Sequence, residues 1–207
     1  MKTLVIDTAT RACSVALFDG DVVLASNHEI IGRGHAERLL PFIAALPGRG
    51  RAEQVVVNVG PGSFTGIRIG VAAARALGLA WGVPVSGYNC LSLIAAMARA
   101  QSGLLAGVDV AMAGGHGEYF FQNFDSAGSP NSEVVSLTPA MVVKKARATL
   151  MAGDFSVNLT ALLGHRHLQD ILPDASFWQL IGNIAPLPAS PIYGRAPDAA
   201  LPKVSAL

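Results

Sequence analysis

The segment from Gln54 to Trp81 constrains the fold more than any other part of the chain. Gln54–Val59 is a continuous apolar run, typical of a strand buried on both faces, and it passes directly into the glycine-rich turn Gly60–Gly70. A long helix is predicted from about Thr65 to Trp81, and small residues recur in it at every fourth position: Gly66, Gly70, Ala74 and Gly78. Because each helical glycine costs about 1 kcal/mol of stability, this stripe indicates close packing against the chain's own sheet or against a partner helix.

The residues before this segment predict a meander followed by a helix. Thr3–Asp7, Cys13–Phe18 and Val22–Ala25 are short apolar runs whose brief connections force antiparallel neighbours. The stretch His35–Leu46 has apolar residues at helical spacing, with a proline at position 41. With a short strand at Val83–Val85 and a helix at Leu91–Ala100, the first hundred residues have the order β-β-β-α-β-α-β-α. This order predicts an α/β fold.

The second half of the chain is less regular. Strands are predicted at Leu104–Val110 and Tyr119–Phe124, around a glycine-rich connection, 111–118, that we expect to be mobile. A helix is predicted over Pro139–Leu150. No internal repeat is visible. A boundary is predicted at Gln101–Gly103, between an N-terminal lobe, 1–102, and a smaller, divergent C-terminal lobe, 103–207.

Composition excludes several classes of protein. Apolar residues make up 51% and charged residues 14%, with a formal net charge of +1, so neither disorder nor a strong field for nucleic acid or a membrane is expected. No run reaches the ~18 apolar residues of a membrane span, and Asp7 comes too early for a secretory signal. Cys13 and Cys90 lack metal-site spacing. These features predict a cytoplasmic protein with no membrane association.

The turn Gly60–Gly70 is the clearest candidate for binding chemistry. Glycines let backbone N–H groups converge at a helix N-terminus, which suits a phosphate or carboxylate. The residues that could contact an anion or nucleotide are Asp7, Thr8, Gly60, Pro61, Gly62, Ser63, Thr65, Gly66 and Arg68. A purely structural turn, with Ser63 or Thr65 capping the helix, explains the same residues. Neither a Walker pattern nor a hydrolase elbow is present, and the histidines show no metal-site spacing, so we assign no catalytic residue and no metal.

Five segments together resemble the TsaB (YeaZ) family of bacterial threonylcarbamoyladenosine biosynthesis. They are Leu4–Thr10, His35–Pro41, Gly60–Gly70, Pro84–Val85 and Pro191–Asp198. The resemblance implies an actin-like (ASKHA, RNase H-like) fold with two lobes and a mixed sheet flanked by helices. The Gly60–Gly70 motif is highly specific, whereas the C-terminal half matches only at its end.

The family implies a scaffold without catalysis of its own, a pseudoenzyme. Such proteins pair with a catalytic subunit, TsaD, and an ATPase, TsaE, and the complex adds a threonylcarbamoyl group to the adenosine next to the anticodon of tRNAs that read codons starting with A. The complex uses ATP and holds the tRNA, whereas this chain is expected to bind no cofactor tightly. Leu39 stands four residues after His35, where the catalytic relative has its second metal ligand, and Ala9 replaces a glycine of the superfamily's phosphate loop. The alternative is an ATP-dependent kinase or acyltransferase that uses the Gly60–Gly70 loop.

Family members pair through the helix beginning near His35 and the helix after Gly66, with a partner or with themselves, so a homodimer is possible in isolation. The resemblance therefore predicts interface contacts at His35, Arg38, Leu39, Leu40, Ile43, Ile67, Val71, Ala74 and Arg75. On this reading, Ala74→Glu abolishes partner binding and leaves the fold largely intact.

Overall fold

The protein is built on two mixed β-sheets flanked by helices, as a computed structural model of residues 1–104, 106–155, 157–164 and 167–194 describes it. The first sheet contains β1 (Lys2–Asp7), β2 (Ala12–Asp19), β3 (Val22–Ile30), β4 (Gln54–Asn58), β5 (Val85–Tyr88) and β11 (Leu187–Pro188). The second contains β6 (Val108–Gly115), β7 (Glu118–Phe124), β8 (Val135–Leu137), β9 (Leu150–Gly153) and β10 (His167–Asp170). The helices are α1 (His35–Ala45), α2 (Phe64–Trp81), α3 (Cys90–Ser102), α4 (Pro139–Lys145) and α5 (Val157–Leu163), with 3₁₀ segments at Pro47–Gly50 and Ala175–Ile181.

The two sheets repeat one topology. In the first, the order β3-β2-β1-β4-β5 has antiparallel β1–β2 and β2–β3 pairs and parallel β1–β4 and β4–β5 pairs. In the second, β8-β7-β6-β9-β10 has the same order and the same strand directions. The repeat lies in the topology and not in the residues, which explains why the sequence does not reveal it. The predicted fold class, an actin-like α/β fold with mixed sheets flanked by helices, is confirmed.

The layers follow from where the apolar residues lie. Helices α1 and α2 cover one face of the first sheet, and α3 with the 3₁₀ segment Ala175–Ile181 covers the other. The opposite side of α3 packs on β6, β7 and β9, so this helix is buried between the two sheets. Helices α4 and α5 cover the outer face of the second sheet. No described helix is long and apolar enough to cross a membrane.

The predicted elements of the first hundred residues are all present, with shifted ends. The third strand continues to Ile30, beyond the predicted Ala25, because it pairs along the whole of β2. The strand predicted at Val83–Val85 begins only at Val85, because the peptide N–H of Val83 still bonds to the carbonyl of Gly78. Helix α3 ends at Ser102, and the division of the chain into lobes 1–102 and 103–207 stays a prediction. Strand β11, from the second half, pairs with β5 of the first sheet.

Two predictions for the second half are wrong. The connection 111–118 is mostly strand: β6 runs from Val108 to Gly115 against β7, and only His116 and Gly117, both with positive φ, form the turn. The helix predicted to Leu150 ends at Lys145. Its continuation is prevented because the peptide N–H groups of Arg147 and Ala148 donate to the Asp109 carboxylate, at 2.5 and 2.8 Å. The backbone then enters β9.

Candidate functional site

A cleft opens between the two sheets, next to the N-termini of α1 and α2. Its volume is about 820 Å³, and it is bounded by the β1–β2 turn on one side and the end of the β6 strand on the other. The polar side chains along it are Thr10, Arg11, Arg33, His35, Glu37, Ser63, Thr65 and Asp154. This is the place in the structure where the glycine-rich turn and the end of β1 come together.

Asp7 ends β1 but does not reach this cleft. Its side chain is fully buried, and one oxygen, Oδ2, accepts hydrogen bonds from Asn58 Nδ2 at 2.7 Å and from the Tyr88 hydroxyl at 2.6 Å. The other oxygen accepts the peptide N–H of Ala9 at 3.2 Å. Burial raises the pKa of this carboxyl from 3.8 to about 6, although the three hydrogen bonds act in the opposite direction. Asp7 is therefore a structural carboxyl that is enclosed by the protein.

The small-residue stripe of α2 packs against the chain's own β1–β2 turn and sheet. Thr8 is buried, and its hydroxyl donates to the carbonyl of Gly66 at 2.7 Å. A Cβ atom on Gly66 would lie 2.0 Å from the Thr8 carbonyl oxygen, and one on Gly70 would lie 2.4 Å from Thr8 Oγ1. Of the two explanations for the stripe, the structure supports packing within the chain, and contact with a partner helix through it stays a prediction.

The glycine-rich turn divides its residues between the cleft and the core. Gly62, Ser63, Thr65 and Gly66 line the cleft, and the N–H groups of Ser63 and Gly66 already have partners within the protein. Ser63 Oγ caps α2 by accepting the N–H of Gly66 at 3.2 Å, and the Ser63 N–H donates to the Ala9 carbonyl at 2.7 Å. These bonds favour the structural explanation of the turn.

Gly60 and Pro61 are buried and lie away from the cleft. The Gly60 N–H donates to Asn58 Oδ1 at 2.8 Å, and a Cβ atom on Gly60 would lie 2.5 Å from the carbonyl oxygen of Ile192. Contact of either residue with an anion stays a prediction.

Two arginines of α2 hold the segment Leu187–Gly194, here called the C-terminal strap. Arg68 Nε donates to the Tyr193 hydroxyl at 2.9 Å. Arg75 donates to the carbonyl of Ala189 at 2.9 Å and to Ser190 Oγ at 3.0 Å. Arg68, predicted as an anion contact, and Arg75, predicted as an interface contact, are thus occupied by the strap. Residues 195–198 of the family motif lie outside the described residues.

The residues predicted for a partner interface fall into two groups. Five are at most 3% exposed and belong to the core beneath α1 and α2: Leu39, Ile43, Ile67, Val71 and Ala74. His35 is also buried, and its Nε2 lies 3.1 Å from the Ala12 carbonyl oxygen. In this structure these side chains contact their own chain, so partner contacts through them stay a prediction.

The second group is exposed. Leu40 is 56% exposed, and Arg38 lies on the surface with Nε donating to Glu29 at 2.9 Å. Sequence reasoning missed Leu79, which is 87% exposed near the C-terminal end of α2. Helical spacing in the sequence could have indicated this exposure. Leu79 lies three residues after Ala76 and seven after Ala72, on the helix face opposite to the small-residue stripe.

An ion pair closes one end of the cleft. Arg11 of the β1–β2 turn donates from Nε and Nη2 to the two carboxylate oxygens of Asp154, which follows β9, at 3.2 Å each. The hydrogen bonds from Asp154 raise the pKa of the Arg11 guanidinium further. Because the two residues are 143 positions apart, no sequence pattern could have identified this pair.

Comparison with known proteins places this geometry in a family. A family model described as TsaD, tRNA N6-adenosine threonylcarbamoyltransferase, matches residues 26–158, which is more than half of the chain. The tRNA threonylcarbamoyladenosine biosynthesis protein TsaB of Escherichia coli is 38% identical over 120 residues, 54% of this chain and 52% of that protein. The solved structure of YeaZ from Pseudomonas aeruginosa aligns with a TM-score of 0.76 and 25% identity, over 93% of this chain and 99% of that one. The chain belongs to the TsaB (YeaZ) family.

Within the TsaB family, the match to curated relatives is concentrated in part of the sequence. The TsaB protein of Bacillus subtilis is 32% identical over 111 residues, 51% of this chain and 48% of that protein. The chain therefore spans about half the length of the curated relatives it matches. The YeaZ structure extends the likeness across nearly all of the chain, at the level of the fold and at low identity.

Proposed function

We propose that this chain is a non-catalytic scaffold subunit in threonylcarbamoyladenosine biosynthesis. In this role it pairs with a TsaD-like catalytic subunit and, together with a TsaE-like ATPase, supports transfer of a threonylcarbamoyl group to the adenosine next to the anticodon of tRNAs that read codons starting with A. The TsaB relatives and the matching threonylcarbamoyltransferase family model support a role in this biosynthesis. The complex acts in the cytoplasm, uses ATP and holds the tRNA, and this chain holds no cofactor tightly.

The observation that carries the non-catalytic role is the environment of Asp7. Its carboxylate comes from the strand end nearest the cleft, yet it is fully buried and accepts hydrogen bonds from Asn58, Tyr88 and Ala9. A carboxylate enclosed in this way cannot orient a substrate or a metal-bound phosphate without breaking those bonds. The only ion pair across the described cleft, Arg11–Asp154, likewise satisfies its charges within the protein.

The pairing role is supported by the outer surfaces of α1 and α2. Leu40 and Leu79 are exposed, and Ala72 and Ala76 lie on the exposed side of α2. The two charged residues of α2, Arg68 and Arg75, are bonded to the C-terminal strap. Two neighbouring helices with exposed apolar side chains and few free charges suit a helix-to-helix interface.

Reconstituted threonylcarbamoyl transfer to an unmodified tRNA tests the proposal. The reaction contains a threonylcarbamoyl-AMP synthase, a TsaD-like subunit and a TsaE-like ATPase, with this chain added, omitted, or added without the TsaD-like subunit. We expect modified tRNA only when both this chain and the TsaD-like subunit are present. Modification by this chain without that subunit would contradict the scaffold role and favour the alternative, an ATP-dependent transferase that uses the Gly60–Gly70 loop.

Leu79→Glu tests the surface through which this pairing occurs. Because Leu79 is 87% exposed, a charge there leaves folding intact but places a carboxylate in an apolar interface, and we expect at least tenfold weaker association with the TsaD-like subunit. Leu162→Glu, at a 53% exposed leucine of α5, is the matched control. Titration calorimetry measures both affinities. Equal binding by the two variants would exclude this end of α2 from the interface.

A further inference from the structure

Arg68 and Arg75 place two positive charges on the outer face of α2. The two residues are seven positions apart, so they lie on the same side of the helix, about 10 Å apart along its axis. Both are exposed, on the face opposite to the small-residue stripe, and the exposed Ala72 and Leu79 continue that face. The two arginines therefore belong to the surface through which the proposed pairing occurs.

The C-terminal strap holds both guanidinium groups in place. Arg68 Nε donates to the Tyr193 hydroxyl at 2.9 Å, and its Cζ lies 5.4 Å from the centre of the Tyr193 ring. Arg75 donates from Nε to the Ala189 carbonyl and from Nη2 to Ser190 Oγ, at 2.9 and 3.0 Å. Because side chains held in this way lose less conformational entropy when they bind, the strap prepares both arginines for a further contact.

These bonds use only part of each guanidinium group. Nη1 and Nη2 of Arg68 and Nη1 of Arg75 make no hydrogen bond to any described residue. Neither arginine takes part in an ion pair within the described part of the chain, and neither α2 nor the strap contains an aspartate or a glutamate. A guanidinium group binds a carboxylate through two parallel hydrogen bonds. The remaining donors of this surface therefore suit a partner with acidic side chains.

The same charges oppose the pairing of two copies of this chain across α2. The charged residues of α1 and α2 are all exposed, three of them basic and one acidic: Glu37, Arg38, Arg68 and Arg75. In a twofold dimer this surface meets itself, and its excess of positive charge then has no counter-charge. A different chain with an acidic surface is therefore favoured over a second copy.

We propose that Arg68 and Arg75 bind two carboxylate groups of the TsaD-like subunit that lie about 10 Å apart. Acidic residues seven positions apart on one helix have this spacing. The arginines make the contact, and Tyr193, Ala189 and Ser190 of the strap position them. This inference rests on the proposed function and specifies the chemistry of the interface.

Reversing both charges tests the contact. Titration calorimetry measures binding of the TsaD-like subunit by the parent and by Arg68→Glu/Arg75→Glu, between about 0.05 and 0.5 M salt. We expect the parent's affinity to fall as salt rises. The variant should bind about a hundredfold more weakly at low salt and more tightly as salt rises, because salt screens the new repulsion. A merely structural role of the arginines would not invert the salt dependence.

Two further variants separate this charge effect from folding and from net charge. Arg68→Gln/Arg75→Gln keeps amide donors for the strap, so it should bind about tenfold more weakly and lose most of its salt dependence. Lys144→Glu/Lys145→Glu is the matched control, because it changes the net charge as much as the double reversal does, at exposed residues of α4 on the second sheet. This control should bind as the parent does.

Tyr193→Phe tests the positioning role of the strap. The substitution removes the hydroxyl that accepts from Arg68 and keeps the ring. We expect about threefold weaker binding in the parent and no further loss in Arg68→Ala, because the hydroxyl acts through that arginine. An equal loss in both backgrounds would refute the positioning role.

The inference is overturned if the parent binds the TsaD-like subunit while the double reversal and the double glutamine variants keep its affinity and salt dependence. It is also overturned if the Lys144→Glu/Lys145→Glu control loses as much affinity as the double reversal. A parent chain that does not bind the subunit at all would contradict the proposed function, and this inference with it. The two failures are therefore distinguished by the parent's own titration.

Discussion

Asp7 is fully buried, and its hydrogen bonds do not fully compensate for its lost hydration. Three donors reach it, from Asn58, Tyr88 and Ala9, yet the pKa of the carboxyl rises to about 6 because desolvation outweighs them. The nearby Asp174 carboxylate raises the pKa further. Burial and then the proximity of Asp7 raise the pKa of the Tyr88 hydroxyl, so it remains a hydrogen-bond donor. At the residue scale, the end of β1 is therefore a buried polar cluster that no substrate contacts without breaking its hydrogen bonds.

This cluster predicts an unusual dependence of stability on pH. Because the pKa of Asp7 is higher in the folded than in the unfolded chain, the folded state binds more protons between about pH 4 and pH 6, and the contribution of Asp7 to stability falls as pH rises through that window. The rise of the Asp7 pKa from 3.8 to about 6 corresponds to about 3 kcal/mol of unfolding free energy. Urea unfolding of the parent and of Asp7→Asn checks this. The stability of the variant relative to the parent should increase by about that amount from pH 4 to pH 7.

The hydrogen bonds lost in Asp7→Asn lower the stability of the variant by nearly the same amount at every pH. This loss therefore shifts the difference in unfolding free energy between the variant and the parent by a constant, and the dependence of that difference on pH does not change. A difference that stays constant from pH 4 to pH 7 would show that Asp7 has an ordinary pKa in the folded protein.

At the scale of elements, α2 has two different faces. Its inner face, with the small-residue stripe, lies against β1, β4 and the β1–β2 turn, where Gly66 and Gly70 allow Thr8 to approach. Its outer face presents Leu79 and small residues to the surface. Sequence periodicity identified the stripe, but it does not say whether the neighbouring backbone belongs to the same chain.

The two faces predict opposite outcomes for the same substitution. Ala74 is completely buried, so Ala74→Glu should reduce the free energy of unfolding by about 4 kcal/mol or more, because it buries an unpaired carboxylate in the core. Ala76→Glu, on the exposed side two residues later, should change it by only about 0.5 kcal/mol. Urea unfolding followed by circular dichroism measures both. Nearly equal stability of the two variants would contradict the placement of Ala74 in the core and favour the prediction that it faces a partner.

At the scale of the whole molecule, two sheets of the same topology are joined across α3 and by polar contacts. The Arg11–Asp154 pair connects the β1–β2 turn with the end of β9, and Ser14 of β2 accepts the N–H of Ala175 at 2.9 Å. The C-terminal strap then returns to the first sheet through β11 and to α2 through Arg68 and Arg75. The two halves of the chain are therefore interlocked.

The Arg11–Asp154 contact predicts a measurable coupling between the two halves. The Asp154 side chain is only 17% exposed and the pair is bidentate, so a double-mutant cycle with Arg11→Ala and Asp154→Ala should give a coupling energy of about 1 kcal/mol. The Arg38–Glu29 pair, about half exposed on both sides, is the matched control and should give about 0.3 kcal/mol. A coupling energy no larger than that of the control would mean that the Arg11–Asp154 pair does not stabilise the contact between the two halves of the chain.

Local patterns in the sequence determined most of the first sheet and its helices. The apolar run of β4, the meander and the small-residue helix depend on periodicity and turn chemistry that act over a few residues. The same residues carried the family resemblance, so the fold class could be predicted from the sequence alone. The sequence also identified the residues of the glycine-rich turn, although not which of them face the cleft.

Tertiary structure alone decided how those residues are used. Helix α4 ends at Lys145 because the Asp109 carboxylate accepts hydrogen bonds from the peptide N–H groups that follow. Arg68 and Arg75 bind the C-terminal strap, which is more than a hundred residues away in the sequence. Whether Ala74 faces a core or a partner, and whether Asp7 faces a cleft or the interior, depends on contacts between segments distant in sequence. Helical and strand periodicity fix which residues share a face, but only the packing of the sheets fixes what that face meets.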